Sequence, residues 1–292
     1  MSRDAVDPRS ILAALGVGPP RALEPVSGGQ DTLLWRVETP AATYALRLMR
    51  PDQAFEARLE AAAMRAAASA GIAVPRVEAE TLWQERPAML LSWCPGRTVA
   101  AELLARPGRV WSLGRALGQT QARLNRVQAP AELLERGESW IDRAAPGEPA
   151  LRARLRALPR RADRLLHLDF HVLNTMTDGR AITAVLDWTN TAAGDPRADA
   201  GRALSVILLS PVPPGTPRVF ALLRRVMAAA LWRGYRDVAG PLPDMALFHA
   251  WAGAAMQRDL ADRAADPAHW LRDTQLAPAR RWTAYWKRAA GL

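Results

Sequence analysis

The sequence predicts a bilobal α+β protein, with a small antiparallel sheet first and a larger, mostly helical region after it. Three observations lead to this. Apolar runs with strand character crowd the first 93 residues around a single alanine-rich helix. Beyond Gly96 the apolar residues recur at helical spacing almost to the end. One stretch, 166–187, breaks that helical run with a hairpin carrying two acids and an amide. The expected division is 1–93 and 94–292.

In the first region, Asp7-Pro8 ahead of Ile11, Leu12 and Leu15 reads as a short capped helix, stopped by Gly16 and Gly18. From Leu23 to Val37 two apolar runs flank Gly28-Gly29, and the strand pattern resumes over 44–48. This predicts three antiparallel strands with a glycine-rich first turn. Such a turn brings backbone N–H groups close to phosphates. Arg47 lies mid-strand between Leu46 and Leu48. Residues 55–70 form a strong helix by propensity, ended by Gly71 with Pro75 beyond. Two further strands fit 77–82 and 88–93.

In the second region, helical spacing runs over 99–127 with a break at Pro107-Gly108, then over 131–136 and 149–158. After the central hairpin, helices are expected at 197–209, 217–235, 243–265 and 267–289, with a proline-rich loop over 210–215.

The chemistry concentrates in the central stretch. It reads His167-Leu168-Asp169-Phe170-His171-Val172-Leu173-Asn174, a turn at Asp178-Gly179, Val185-Leu186-Asp187-Trp188, then Gly194-Asp195-Pro196-Arg197-Ala198-Asp199. Asp169 can accept a proton from a hydroxyl. Asn174 and Asp187 offer the hard oxygen atoms that magnesium prefers. A positioner for the nucleophile, followed by oxygen ligands for a phosphate-bridging metal, is the order phosphoryl transfer requires.

These motifs resemble the aminoglycoside phosphotransferase and choline kinase superfamily, whose signature is His-Gly-Asp-x-x-x-x-Asn, then an apolar strand ending Asp-Trp or Asp-Phe, then Gly-Asp-Pro-x-x-Asp. Leu168 stands where that signature has glycine. The resemblance implies a protein-kinase-like fold, with Asp169 as catalytic base and Asn174 and Asp187 as magnesium ligands. Asp199 would support the loop, His167 would brace it, and His171 would neighbour the site. It further implies a nucleotide-covering loop with Ser27, Gly28 and Gly29, and Arg47 as the cation on the phosphates. A helix glutamate would pair with Arg47: Glu60 fits best, with Glu56 one turn earlier as a rival. Backbone groups near Ser92, Trp93 and Cys94 would meet adenine. The implied function is phosphorylation of a small hydroxylated molecule by Mg-ATP or another nucleoside triphosphate. A catalytically weak, nucleotide-binding regulatory homologue is the alternative.

Composition narrows the partners. The formal net charge is +10, yet of 39 basic residues only Lys287 is a lysine, and the arginines are spread along the whole chain without a basic tail. No nucleic-acid-binding signature accompanies them, so no nucleic-acid partner is expected. No apolar run is long enough for a membrane span. The polar N-terminus and the single cysteine, Cys94, fit a reducing cytoplasm. From Asn190 onward 8 acids face 13 arginines and one lysine, the wrong balance for a polycation pocket. A neutral or anionic acceptor is at least as well suited. Trp282 and Trp286 share a helix face at i and i+4, so one of them is a candidate to line the acceptor pocket.

Overall fold

The computed structural model describes residues 6–26, 32–137, 139–144, 147–213, 215–265 and 270–292. The chain forms two compact units, Met1–Pro95 and Gly96–Leu292.

The first unit opens with helix α1 (Pro8–Ala14), where Asp7 accepts a hydrogen bond from the Arg9 N–H at 3.0 Å and caps the first turn. Five strands follow: β1 (Ala22–Pro25), β2 (Leu33–Glu38), β3 (Thr43–Leu48), β4 (Val77–Trp83) and β5 (Arg86–Ser92), with helix α2 (Ala54–Ser69) between β3 and β4. All neighbours are antiparallel, in the order β1-β2-β3-β5-β4. Alternation sends Trp35, Val37, Leu46 and Leu48 to one face, where they pack with Ile11 and Leu12 of α1. Arg47 therefore points to the other face. That face is met by α2, whose small side chains Ala57, Ala61, Ala63 and Ala67 are buried. The expected glycine-rich turn, with Ser27, Gly28 and Gly29, lies outside the described residues.

The second unit begins with β6 (Arg97–Thr98), α3 (Val99–Ala105) and α4 (Val110–Leu124). The break at Pro107-Gly108 is a 3-10 turn separating the two helices. Short helices α5 (Ala131–Glu135) and α6 (Pro149–Ala157) lead to β7 (Arg164–Leu166), the hairpin β8 (Thr175–Thr177) and β9 (Ile182–Val185), and β10 (Ala192–Gly194). Helices α7 (Pro196–Leu209), α8 (Val219–Ala239), α9 (Met245–Ala265) and α10 (Ala277–Ala289) complete the chain. Two small antiparallel sheets result, β6-β8-β9 and β10-β7. The last helix starts later than its sequence suggests. A 3-10 turn, Asp273–Leu276, precedes it, and Pro278 occupies its first turn, where the missing N–H costs nothing.

Helices α4 and α8 approach backbone to backbone. A methyl group added at Gly118 would overlap the Leu231 carbonyl, and one at Gly234 would overlap the Arg115 carbonyl. The main core gathers Trp140, Leu151, Leu155, Leu166, Leu168, Phe248 and Trp251 beneath the loop 167–174. Trp251 donates its indole N–H to the Trp140 carbonyl at 3.0 Å, which satisfies the polar edge of a fully buried ring.

Candidate active site

The loop between β7 and β8 is held from both sides. His167 is fully buried; its Nδ1 accepts the Asp169 N–H at 3.2 Å, so the proton sits on Nε2 and is donated to the Leu186 carbonyl at 3.0 Å. Burial lowers its pKa, against the opposing pull of the Asp199 and Asp169 carboxylates. The neutral ring packs against Phe170 and Trp188, at centroid distances of 5.9 and 4.9 Å. Leu168 adopts a left-handed backbone, φ +60°. Its N–H donates at 2.6 Å to Asp199 Oδ1, and the other oxygen of that carboxylate accepts Asn125 Nδ2 at 2.8 Å. Tyr235 donates to Asn125 Oδ1 at 3.0 Å, and Gln121 Nε2 to the Asp199 carbonyl at 3.0 Å. Helices α4, α7 and α8 thus converge on one loop amide through the buried carboxylate of Asp199.

Asp169 and Asn174 are in direct contact. Asn174 Nδ2 donates to the Asp169 carbonyl at 3.1 Å and to Asp169 Oδ2 at 3.0 Å. Both donated bonds use the nitrogen, which leaves the amide oxygen as an acceptor. His171 Nε2 lies 3.4 Å from Asp169 Oδ1. Burial pushes the Asp169 carboxyl up, but the hydrogen bond and charge of His171 outweigh it and hold the group at about 2. The hairpin sets Asp187: Leu186 N–H donates to the Asn174 carbonyl at 2.7 Å, and Thr175 pairs with Val185. Asp187, two residues past β9, is exposed with φ +61°, and its Oδ1 accepts the Thr189 hydroxyl at 2.7 Å. Aspartate tolerates this left-handed conformation better than most residues. No cluster of three histidine, cysteine or carboxylate ligands exists among the described residues. One amide oxygen and one exposed carboxylate at adjacent hairpin ends suit a hard cation that takes its remaining ligands from water and phosphates.

In the first unit, Arg47 Nη1 donates to Glu60 Oε2 at 2.5 Å and Nη2 to Oε1 at 3.4 Å. The Glu60 side chain is 2% exposed and the Arg47 side chain 16%. The observed partner is thus Glu60, and Glu56, one turn earlier, is partly exposed. At the end of β5 the backbone is partly committed. Ser92 N–H donates to the Arg76 carbonyl at 2.9 Å, its hydroxyl accepts Arg76 N–H at 2.9 Å, and Trp93 N–H donates to the Thr43 carbonyl at 3.1 Å. Cys94 is half-buried with its thiol pKa raised by burial.

Sequence reading passed over Asn125, Gln121 and Arg202. Gln121, on the buried face of α4, and Asn125, the buried residue that caps its C-terminus, are polar positions one turn apart behind Leu113 and Leu117, and that signal was available. Arg202 carried none: it is one arginine among many. It is buried, donates from Nε to the Leu168 carbonyl at 3.4 Å, and is ion-paired with Asp259. Trp282 and Trp286 pack with His249 and each other, and Trp282 donates to the His249 carbonyl at 2.8 Å.

An antiparallel-sheet unit, followed by a helical unit that carries an Asp–Asn loop and an Asp-tipped hairpin, is the architecture of kinase-like small-molecule phosphotransferases. Solved structures share it. The aminoglycoside phosphotransferase APH(4)-Ia, as a thermostable mutant in ternary complex with AMP-PNP and hygromycin B, superposes with a TM-score of 0.66 at 15% identity, covering 98% of this chain and 99% of that one. The macrolide 2'-phosphotransferase MphH from Brachybacterium faecium gives 0.55 at 20% identity over 97% and 95%. An aminoglycoside-3'-phosphotransferase of type VIII gives 0.60 at 17% identity over 84% and 97%. No curated protein matches the sequence. The family model for the phosphotransferase enzyme family matches residues 22–236, and the chain belongs to that family. No helix among the described residues is long and apolar enough to cross a membrane.

Proposed function

We propose that the protein transfers the terminal phosphoryl group of ATP, or of another nucleoside triphosphate, to a hydroxyl of a small molecule. The new bond joins the acceptor oxygen to phosphorus. The bond to the β-phosphate oxygen breaks, its electron pair leaves with the diphosphate, and the hydroxyl proton passes to Asp169. The observation that carries this reading is the pairing of Asp169 with Asn174, fixed beside Asp187 by the hairpin ladder.

Each group has a part. Asp169, ionised at neutral pH, orients the acceptor hydroxyl and takes its proton late, which suits a loose transition state that needs positioning more than a strong base. Asn174 through its amide oxygen and Asp187 through its carboxylate would hold magnesium. Bound there, the cation would neutralise charge on the transferring phosphates. Arg47, oriented by Glu60, is assigned to the nucleotide phosphates, and a guanidinium can grip them through two nitrogens. For adenine, the backbone of Cys94 is the best candidate of the three expected residues, because the N–H groups of Ser92 and Trp93 are already engaged. Ser27, Gly28 and Gly29 keep their assignment to a phosphate-covering loop on sequence alone. The nucleotide role belongs to the first unit, expected at 1–93, and catalysis to the second, expected at 94–292.

The similarity to enzymes solved with hygromycin B and to a macrolide phosphotransferase supports a hydroxylated small molecule as acceptor. The test is ADP release from Mg-ATP across alcohols, sugars, amino alcohols and antibiotics, with Asp169→Ala as control. Acceptor-dependent release that Asp169→Ala abolishes is expected. Near-normal turnover in that variant would remove Asp169 from the chemistry.

A further inference from the structure

Two guanidinium groups, those of the buried Arg202 and the partly buried Arg143, contact residues that flank the reacting groups. Arg202 is 8% exposed. Its Nε holds the Leu168 carbonyl and its Nη2 pairs with Asp259, but Nη1 is buried without a hydrogen-bond partner among the described residues. Arg143 donates from Nη1 to the neutral amide oxygen of Asn190 at 2.7 Å, and no carboxylate lies within ion-pair distance of it among the described residues. A buried charge whose fixed partners are incomplete is costly, and a native structure keeps such a group where something else completes it. Each arginine contacts a residue that lies close in sequence to a reacting group. Leu168, held by Arg202, precedes Asp169, and Asn190, held by Arg143, follows Asp187 by three positions.

We infer that Arg143 and Arg202 form an anion subsite for the acceptor, which binds its carboxylate or phosphate group while Asp169 receives its hydroxyl. This rests on the phosphotransferase reading and names the acceptor class within it: a hydroxylated anion, not a polycation. The surrounding charges agree. Asp259 is committed to Arg202, whereas Arg258, exposed and donating to the Asp142 carbonyl at 3.3 Å, adds a further cation on the same side as Arg143. Burial brings Arg143 down to about 10, with Asp259 acting the other way, so it stays charged at neutral pH. The arrangement is hostile to an aminoglycoside, whose ammonium groups would meet guanidinium groups and gain nothing.

The test is a kinetic series on the full-length protein with Mg-ATP. Acceptors are matched in skeleton and differ in charge: glycerate, glycerol 3-phosphate and glycerol; gluconate, glucose 6-phosphate, glucose and glucosamine; and hygromycin B. An anionic member should show a kcat/KM about ten-fold or more above its neutral match, the worth of one charge-assisted hydrogen bond. Whether the carboxylates or the phosphate esters lead decides which anion the subsite takes. Arg143→Gln should raise KM for that anion by about ten-fold and move kcat far less. Arg258→Gln, at an exposed position that poses no folding risk, should raise it by about three-fold. Preference for neutral or cationic acceptors overturns the proposal, as does a KM for the anion that neither variant changes. If no anion in the series is phosphorylated while calorimetry still shows Mg-ADP binding, the subsite falls and the phosphotransferase reading stands. Absence of nucleotide binding overturns both.

Discussion

Asn174 Nδ2 bridges the carbonyl and the carboxylate of Asp169, at 3.1 and 3.0 Å, so the expected metal ligand and the expected base are one hydrogen-bonded unit. Replacing this amide with a second acid, Asn174→Asp, sets two carboxylates in contact. Like charges raise the affinity of such a pair for a proton by about one to two pH units. In the wild type Asp169 sits at about 2, so it contributes no acid limb to kcat/KM above about pH 4. The variant should acquire one at higher pH, with turnover also reduced. A pH–rate profile with an unmoved limb would separate the two residues.

Arg47 and Glu60 should prove coupled in stability as well as in nucleotide affinity. Arg47→Ala takes away the guanidinium that the 2%-exposed Glu60 side chain accepts from, a loss of about 3–5 kcal/mol. Glu60→Gln should cost less, since an amide can still accept from the guanidinium. The double variant should recover part of the sum, and urea unfolding measures this cycle. Arg47→Lys keeps the charge but not the fork, so Mg-ATP affinity should fall moderately by calorimetry. Additive losses would mean that the 2.5 Å contact does not couple the two groups.

Leu168 occupies a left-handed backbone position where the related signature has glycine, yet restoring glycine should not help. Relief of the strain returns about 1–2 kcal/mol. Against that, the Leu168 side chain is 1% exposed within the core of Trp140, Leu166 and Trp251, and deleting it costs about 2–5 kcal/mol. Leu168→Gly should therefore lower stability by about 1–3 kcal/mol in urea melts. An equal or higher midpoint would show that the strain outweighs the packing.

His249 should make the protein acid-sensitive. Burial lowers its pKa to about 4 from an ordinary 6.5, and its Nδ1 has no hydrogen-bond partner among the described residues. The unfolded chain takes up a proton below pH 6.5 and the native state resists, so this contribution is intact above pH 6.5 and is lost as pH falls toward 4. Between pH 7 and 5 the loss is about 2 kcal/mol. His167, whose pKa is lowered the same way, adds in the same direction. His249→Phe removes the titration and should flatten the fall in melting temperature, with little change at pH 8. An unchanged slope would locate the acid sensitivity elsewhere.

The sequence carried much of this because the chemistry is local. Asp169, Asn174 and Asp187 lie within 19 residues of one another on a loop and a hairpin, and short-range pattern specifies both. Glu60 could be favoured over Glu56 but not selected, because the choice depends on how α2 is rotated against β3. The late start of α10 was hidden for a similar reason: residues from Pro267 onward have helical composition, and the 3-10 turn before Pro278 is set by tertiary contacts. Asn125, Tyr235 and Asp199 are separated by 74 and 110 residues in the contacts they make, beyond the reach of any periodicity. The contacts of Arg143 and Arg202 were masked by abundance, since an arginine-rich chain gives no hint of which guanidinium turns inward.

The Asp199 carboxylate has a dynamic consequence. Connecting loops ordinarily open on their own and exchange their amide hydrogens quickly. Here the Leu168 amide is tied to a fully buried carboxylate that is itself locked to α4, and through Asn125 to α8, whose backbones touch at Gly118 and Gly234. The Leu168 end of the loop cannot open without breaking a hydrogen bond to that buried carboxylate. Its amide should exchange deuterium as slowly as the helix interiors, and any variant that loosens the helical pack should disorder the reacting groups at the same moment. In this protein the working loop ages with the core.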